Sequence, residues 1–551
     1  MRVKMAQRML WLSVIALGVF GSLGLRVFQL QIEGVDRGHD LLETVYSQRT
    51  QSLSLQMRRG RILDRNGVDL TDPESSFGLG LFPKLLGDPA EAAQRLSAVL
   101  SPHQVALVLE HASKSPEPAW VLEGLSAPVR ERLERLKLPG LVTGPTGRRY
   151  GAESLARHLV GYASEQGGQQ GLERAYEGEL VGDRVPYLVA TFDGRDRPLF
   201  PIRRMLPETG KEPYDLFTTL DARMQRVVEQ EMDAGGAMLR GAVVVMEARS
   251  GEVLALASRP NFNQMRISGD ERDSPLVNRA LLAYEPGSVF KSLVAAAALE
   301  EGKVSLDESF DCQGHYELGG LTFGDANGEG HGSITFREAV ARSCNITFIQ
   351  VGYERLGAAK LLEAARRFGL GSPTGIYPGA DESAGRLPPL AYGGDVAQFS
   401  FGQGGLMVTP VQVARAYAAI ANGGILPPVR VVTAAKKPSG VVMARPETGQ
   451  ARRVISRETA RELQEALQGV TDPTGRGTGR AAWVEGQGSA GKTGSAETVH
   501  DGRPVTHAWF AGWTPVESPR YVIVVLVEDG KSGGLAAAPL FRRIAEGIHG
   551  L

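Results

Sequence analysis

The chain has only two cysteines, Cys312 and Cys344, among its 551 residues. So low a count excludes a disulfide framework and a cysteine-rich zinc site. A single bridge between the two stays open in an oxidising compartment, but two free, buried thiols is the favoured reading, because unpaired cysteine behaves as a small apolar side chain. Excess charge of either sign is missing as well: 61 Lys and Arg face 62 Asp and Glu, a formal net charge of -1. Without a basic patch there is no electrostatic footprint for nucleic acid, so no nucleic-acid partner is expected. Long apolar runs are absent after the N-terminal region, which leaves one candidate membrane span. Apolar content of 42% and charged content of 22% are otherwise ordinary for globular protein. The length accommodates roughly three or four domain-sized units, or two larger ones.

The one long apolar run is Met9 to Leu25, 17 residues without a charge. It is short for a span, but Val27, Phe28 and Leu30 extend it while Arg26 snorkels to the interface. Arg2, Lys4 and Arg8 precede it, so the positive-inside tendency puts residues 1–8 in the cytoplasm and everything after about residue 32 outside. A cleaved signal peptide is the rival reading. No small-x-small cleavage site follows the run, which favours an uncleaved anchor over residues 9–30.

Residues 41–213 are mixed, with short helical patterns at Glu91 to Leu100 and Val129 to Leu136. The charged phrase from Arg59 to Gly67 ends in an Asn-Gly turn signal and reads by itself as a structural turn. Near residue 216 the character changes. Asp221 to Asp233 reads as an amphipathic helix with Met224, Val227, Val228 and Met232 on one face, and Ala242 to Met246 with Val253 to Ser258 as a two-stranded hairpin. From Ser288 to about Val470 the pattern is mainly helical: Thr335 to Arg342, Ala358 to Phe368, Pro410 to Ala421, Arg457 to Leu467. Strand signals return at Lys492 to Val499, Val505 to Trp513 and Tyr521 to Val527, before a last helix from Pro539 to Ile548. A sheet assembled from both ends of one domain around an inserted helical block is an α+β arrangement.

The candidate chemistry begins at Glu285 to Ser292, where Pro286 and Gly287 precede an Ala- and Leu-rich run and a helix is expected to start at or next to Ser288. Ser288 and Lys291 form an SxxK pair that a helix brings to one face. Free serine is a poor nucleophile, and a neighbouring amine can activate it if its pKa is lowered; a second lysine and the positive end of the helix are the expected causes. The pair is weak alone, since Ser489 to Lys492 repeats it. Ser343, Cys344 and Asn345 form an SxN triplet, which without context is a capping or turn triplet. Lys492, Thr493 and Gly494 open a strand; Lys531, Ser532 and Gly533 match the same pattern but read as loop. SxxK, SxN and KTG in that order are the set found in penicillin-binding proteins and class A β-lactamases. A rival motif overlaps the last of these. Gly486 to Thr493 matches the phosphate-binding P-loop, but its lysine should open a helix, and Gly494, Ser495 and Ala496 are poor helix material.

Taken together, the chain resembles the class B penicillin-binding proteins, the monofunctional peptidoglycan transpeptidases. The resemblance covers nearly the whole sequence: the anchor, RGRILDRNG from Arg59, Arg149 and Tyr150, His158, Gly161 and Tyr162, Gly171 to Leu180, Thr219 to Asp221, AYEPGSVFK ending at Lys291, FGQGGLMVTP from Phe401, GKTGSAE from Gly491 and HAWFAGWTP from His507. Ser495 stands where many relatives have Thr, and Gly151 where Pro is common. No acidic glycosyltransferase signature of the bifunctional class is present. The resemblance implies a membrane-anchored, elongated, non-catalytic pedestal of the dimerisation type over residues 31–215. A transpeptidase domain of the serine β-lactamase-like fold, with an antiparallel sheet, then occupies residues 216–551.

It further implies that Ser288 acylates on the penultimate D-Ala of a stem peptide and that Lys291 is the base. Ser343 and Asn345 relay the proton and orient the substrate, and Lys492 supplies positive potential. Backbone N–H groups of Ser288 and Ser495 make the oxyanion hole, Thr493 and Ser495 hold the terminal carboxylate, and Gly494 allows the substrate strand to approach. No cofactor and no metal are implied. Expected partners are stem peptides and their lipid-linked precursor, β-lactams, a SEDS-type membrane glycosyltransferase, and divisome or elongasome proteins. The same acylation chemistry would serve a β-lactam sensor or a carboxypeptidase. Division and elongation roles stay undivided at this point.

Overall fold

The structure, a computed structural model, describes residues 2–28, 49–55, 59–71, 77–146, 149–164, 166–182, 186–205, 210–234, 240–267, 275–326, 328–437, 439–443, 449–500 and 502–551. Helix α1 (Arg2–Phe28) contains a stretch, Met9–Phe28, long and apolar enough to cross a membrane, with none of it buried in protein. Leu30, expected in the same span, lies outside the described residues.

Two compact units share the rest. The first comprises Met1–Arg58, Glu74–Arg148 and Asp183–Lys211. Its core packs helices Pro89–Leu96, Pro102–Lys114 and Ala127–Leu136 on a sheet in which Phe77–Leu81 runs between Ala119–Leu125 and Leu141–Pro145. Each helix starts with Pro in its first turn, where a missing N–H costs nothing, and Ser101 with Gln104 adds a reciprocal cap to the second.

The second unit comprises Arg59–Pro73, Arg149–Gly182 and Glu212–Leu551. Segments early in the chain therefore cluster with the C-terminal half. The Arg59 to Gly67 phrase is structural here: Ile62–Leu63 pairs parallel to Asp215–Thr218, and Asp64 accepts from the backbone N–H groups of Asn66, Val68 and Ala222. Arg59 Nε meets Glu173 Oε2 at 2.6 Å, and Arg149 Nε and Tyr150 Oη both reach Glu173 Oε1. Glu173 is fully buried, so these donors are what make its charge tolerable there.

The central sheet is antiparallel and uses β1 (Gly241–Glu247), β2 (Val253–Arg259), β3 (Ala490–His500), β4 (Arg503–Thr514) and β5 (Tyr521–Val527), in the order β2-β1-β5-β4-β3. The two ends of the unit thus share one sheet, as the strand signals imply. β1, β2 and β5 are buried along nearly their full length because both faces are covered, one of them by helices Ala222–Asp233 and Ala538–His549. Against the other face stands the inserted helical block. At its centre lies α2 (Lys291–Glu300), buried at nine of its ten positions and apolar nearly all round, as a helix enclosed by others must be. Around it are α3 (Phe336–Arg342), α4 (Asn345–Ile349), α5 (Pro410–Ala421) and α6 (Arg457–Thr471).

The block is less purely helical than its sequence pattern. Residues 309–335 carry four strands of four residues each: Ser309–Cys312 pairs with Gly332–Thr335, and His315–Leu318 with Leu321–Gly324. Strands this short, broken by Gly314, Gly319 and Gly320, give too little alternation to read. Lys531 and Ser532 follow β5 as a connection, in keeping with the loop reading, while Gly533 opens the short π-helical turn Gly533–Ala537.

Replacing Glu173 by Ala takes the carboxylate away from two largely buried guanidinium groups, leaving Arg59 with Glu177 and the residue-173 carbonyl alone. We expect a loss of about 3–5 kcal/mol in the stability of this unit, read as a lowered thermal unfolding midpoint. An unchanged midpoint would show that the cluster contributes nothing.

Candidate active site

Pro286 and Gly287 end the preceding segment, and Gly287–Phe290 forms a 3-10 turn that feeds directly into α2. Ser288 sits half-buried on that turn, at the mouth of the helix. The turn is held by close backbone packing. Gly287 N–H donates to Gly402 O at 3.0 Å, and a Cβ at Gly402, whose φ is +86°, would lie 1.9 Å from Gly287 O. Only glycine fits there. Beneath the turn, Tyr417 of α5 donates to Val289 O at 2.8 Å and accepts from Ser292 Oγ at 2.8 Å.

Lys291 is the first residue of α2 and is completely buried. Its amine makes three hydrogen bonds: to Ser343 O at 2.6 Å, Ser343 Oγ at 3.3 Å and Asn345 Oδ1 at 2.6 Å. All three are directed at the SxN triplet rather than at Ser288 Oγ. That triplet is a sharp junction between two helices. Ser343 closes α3 in the left-handed region at φ +60°, Cys344 caps α4, and Asn345 is its first residue. A non-glycine residue in that region is strained by about 1–3 kcal/mol, and here the strain turns the Ser343 carbonyl toward the amine. Asn345 is held from behind, its N–H donating to Asp325 Oδ1 at 2.9 Å and its Nδ2 to Gly324 O at 3.1 Å.

Lys492, Thr493, Gly494 and Ser495 lie on β3, the edge strand of the sheet, opposite Ala511, Phe510, Trp509 and Ala508. A lysine in mid-strand is incompatible with a P-loop, whose lysine opens a helix. The edge is pressed against the Ser288 turn: a Cβ at Gly494 would fall 2.8 Å from Pro286 O. Lys492 is fully buried and its amine donates to Thr493 O at 3.2 Å. Thr493 Oγ1 is 2.6 Å from Thr478 Oγ1, and Ser495, exposed on the same strand, accepts from Gly533 N–H at 3.2 Å. The second SxxK serine is spent structurally, since Ser489 Oγ is buried on Ala482 O.

Both lysines have lowered pKa values, and the leading cause differs from the expected one. Burial is the leading effect on Lys291, lowering it to about 8, while the negative character of Asp325 and Cys344 pulls it back up. Burial also pushes Lys492 well down, with the nearby Lys291 charge acting in the same direction. Desolvation, more than the helix terminus, makes a neutral amine accessible here.

The constellation is therefore a half-exposed serine on a helix-initiating turn, a buried amine below it bonded to an SxN junction, and a second buried amine on an adjoining edge strand. Residues 241–546 match the family described as "Penicillin binding protein transpeptidase domain", and residues 54–190 match "Penicillin-binding Protein dimerisation domain". The chain belongs to the class B penicillin-binding proteins. Similar relatives of this class include "Stage V sporulation protein D" of Bacillus subtilis, 32% identical over 98% of this chain and 85% of the relative. "Probable peptidoglycan D,D-transpeptidase PenA" of Neisseria meningitidis is 31% identical over 91% and 85%. Among solved structures, "Structural coordination of polymerization and crosslinking by a peptidoglycan synthase complex" holds a chain with TM-score 0.73 at 27% identity, covering 99% of this chain and 98% of that one. Penicillin binding protein 3 from Mycobacterium tuberculosis, complexed with aztreonam, gives TM-score 0.65 at 27% identity over 91% and 96%.

Sequence reading of this class B protein missed Asp325, Tyr417 and Thr478. None lies within a motif, and each reaches the site from a different element, so no spacing points to them. Removing the Tyr417 hydroxyl by Tyr417→Phe strands Val289 O and Ser292 Oγ in a dry interior. The expected cost is about 1–3 kcal/mol in unfolding free energy. A variant as stable as the parent would mean that both groups find other partners.

Proposed function

We infer that this chain is a peptidoglycan D,D-transpeptidase that cross-links stem peptides through an acyl-enzyme on Ser288. The observation that carries this reading is the buried Lys291 amine, anchored by Ser343 and Asn345 directly below the turn that presents Ser288. In the first half-reaction Ser288 Oγ attacks the carbonyl carbon of the penultimate D-Ala and its proton passes to neutral Lys291. The oxyanion that forms is met by the backbone N–H groups of Ser288 and Ser495, each such donor being worth roughly 3 kcal/mol. As the peptide C–N bond breaks, the proton travels by way of the Ser343 hydroxyl to the departing D-Ala nitrogen. In the second half-reaction an amine from a neighbouring stem attacks the ester, gives up its proton along the same path, and returns the Ser288 hydroxyl.

Asn345 orients the substrate amide, and Thr493 and Ser495 hold the terminal carboxylate, whose negative charge restores to the buried Lys492 amine the positive form that burial alone disfavours. The edge position of β3 suits pairing with an extended stem peptide, and Gly494 keeps that approach open. A β-lactam reproduces the D-Ala-D-Ala end and acylates the same hydroxyl; the aztreonam complex of the mycobacterial relative supports this.

Helix α1 serves as a single-pass anchor in the cytoplasmic membrane. Residues 1–8 face the cytoplasm, on the strength of Arg2, Lys4 and Arg8, and the catalytic unit faces outward. Residues 31–215 supply the pedestal, apart from the segments Arg59–Pro73 and Arg149–Gly182 that belong to the catalytic unit. The similarity to a chain of a peptidoglycan synthase complex supports a membrane glycosyltransferase of the SEDS type as the partner that supplies nascent glycan.

A fluorescent penicillin is expected to label the purified chain and to leave Ser288→Ala unlabelled. Persistent label on that variant would remove the assignment. Because only neutral Lys291 can take the serine proton, acylation should be slow while the amine is protonated and should rise with pH, reaching half its maximum near about 8. A rate that stays flat through that region rules out Lys291 as the base.

A further inference from the structure

Past the residues that hold the terminal carboxylate, β3 continues to His500 as the open edge of the sheet. Burial alternates along it: Ser495, Glu497 and Val499 are exposed, while Ala496 is fully buried and Thr498 partly so. The strand's period of two therefore puts Glu497 on the same face as Thr493 and Ser495, two residues or about 7 Å beyond Ser495. Opposite Glu497 in the register stands Thr506 of β4, which carries no charge. Among the described residues the Glu497 carboxylate has neither a hydrogen-bond partner nor an ion-pair partner. The edge thus carries an unspent negative charge just beyond the reacting centre.

The transpeptidase reading above, on which this inference rests, gives the substrate a direction along that edge. With the terminal carboxylate on Thr493 and Ser495 and the scissile carbonyl on Ser495 N–H, the C-terminus of the stem peptide points toward the start of β3. The peptide is then antiparallel to the strand, and the residues upstream of its penultimate D-Ala run along Ala496 to Val499. Donor and acceptor are the same kind of stem, so the donor also carries the free amine of a diamino residue next to its D-Ala pair. We propose that Glu497 pairs with that ammonium group and makes the site prefer donors that are positively charged there. The long, flexible stem of a diamino side chain reaches a carboxylate offset along the edge, and a primary ammonium offers it three donors.

A charge on an edge strand also deters pairing between sheets, but that role alone gives no preference among substrates. Penicillins with matched side chains separate the two on the full-length chain in detergent. In acylation Ser288 Oγ bonds to the lactam carbonyl carbon, the ring C–N bond breaks, and the serine proton ends on the ring nitrogen. The acylamino side chain then lies where the upstream stem residues lie. One probe ends that side chain in a primary ammonium; its control is the same compound acetylated on that nitrogen, and neutral. Competition with a fluorescent penicillin gives the ratio of their second-order rate constants.

At low salt the parent should react about two- to fivefold faster with the ammonium probe, the size of one exposed ion pair. The ratio should approach one as salt rises from about 0.01 M to about 1 M, over which the screening length falls from about 30 Å to about 3 Å. Glu497→Gln should bring the ratio to one at low salt, and Glu497→Lys should invert it. Because each reading is a ratio, an overall loss of reactivity in a variant cancels, and the salt series on the parent decides the question if a variant fails to fold. A parent ratio of one at low salt overturns the proposal, and so does a Glu497→Gln ratio equal to the parent's. If Glu497 serves the acceptor amine instead, Glu497→Gln keeps the parent ratio and needs more of a soluble amine acceptor for half-maximal aminolysis, which overturns the assignment to the donor. Failure of every penicillin to label the parent would take the transpeptidase reading down as well, and the fluorescent label tells the two failures apart.

Discussion

The arrangement turns on one amine buried where water cannot reach it. Lys291 Nζ lies within hydrogen-bond distance of Ser343 O, Ser343 Oγ and Asn345 Oδ1, so a single side chain ties the first turn of α2 to the junction between α3 and α4. The same burial has a chemical effect. It favours the neutral amine, which is the form that can accept a proton from the serine above it. Structural support and proton acceptance are thus two consequences of one desolvated group.

What surrounds the Ser288 turn is mostly backbone. That turn touches the segment at Gly402 on one side and β3 at Gly494 on the other, and at both places a side chain would collide with a carbonyl oxygen. Tyr417 supports the turn from below through Val289 O and Ser292 Oγ. Four segments far apart in sequence are consequently locked by contacts that tolerate little displacement. A hydroxyl presented on such a frame loses little entropy on reaching its target, which is how preorganisation contributes to rate.

Much of this frame was legible beforehand. The five sheet strands and helices such as Ala222–Asp233 and Arg457–Thr471 follow from apolar periodicity and capping residues, because long elements with one or two buried faces leave a repeating pattern, whereas the short helices Asn345–Ile349 and Gly393–Ser400 were not read. The hairpins between Ser309 and Thr335 did not announce themselves, since four-residue strands punctuated by glycine carry almost no period. The expected cause of the lysine shift also changed: helix terminus and second lysine were natural guesses from spacing, but depth of burial outweighs both and has no signature in the residues nearby.

The residues alone established the kind of chemistry, through SxxK, SxN and KTG in order, and the presence of one apolar stretch suited to a membrane. They did so because both depend on local chemistry, a hydroxyl three positions from an amine or a run without charge. Tertiary structure decided what those groups meet. It set Asp325 behind Asn345, Tyr417 under Ser292 and Thr478 against Thr493, and it gathered Cys312, Asp325, His331 and Cys344 from positions thirteen, six and thirteen residues apart. Such neighbours are brought together by the packing of whole elements, and packing of that kind is a property of the folded chain that no short window of sequence contains.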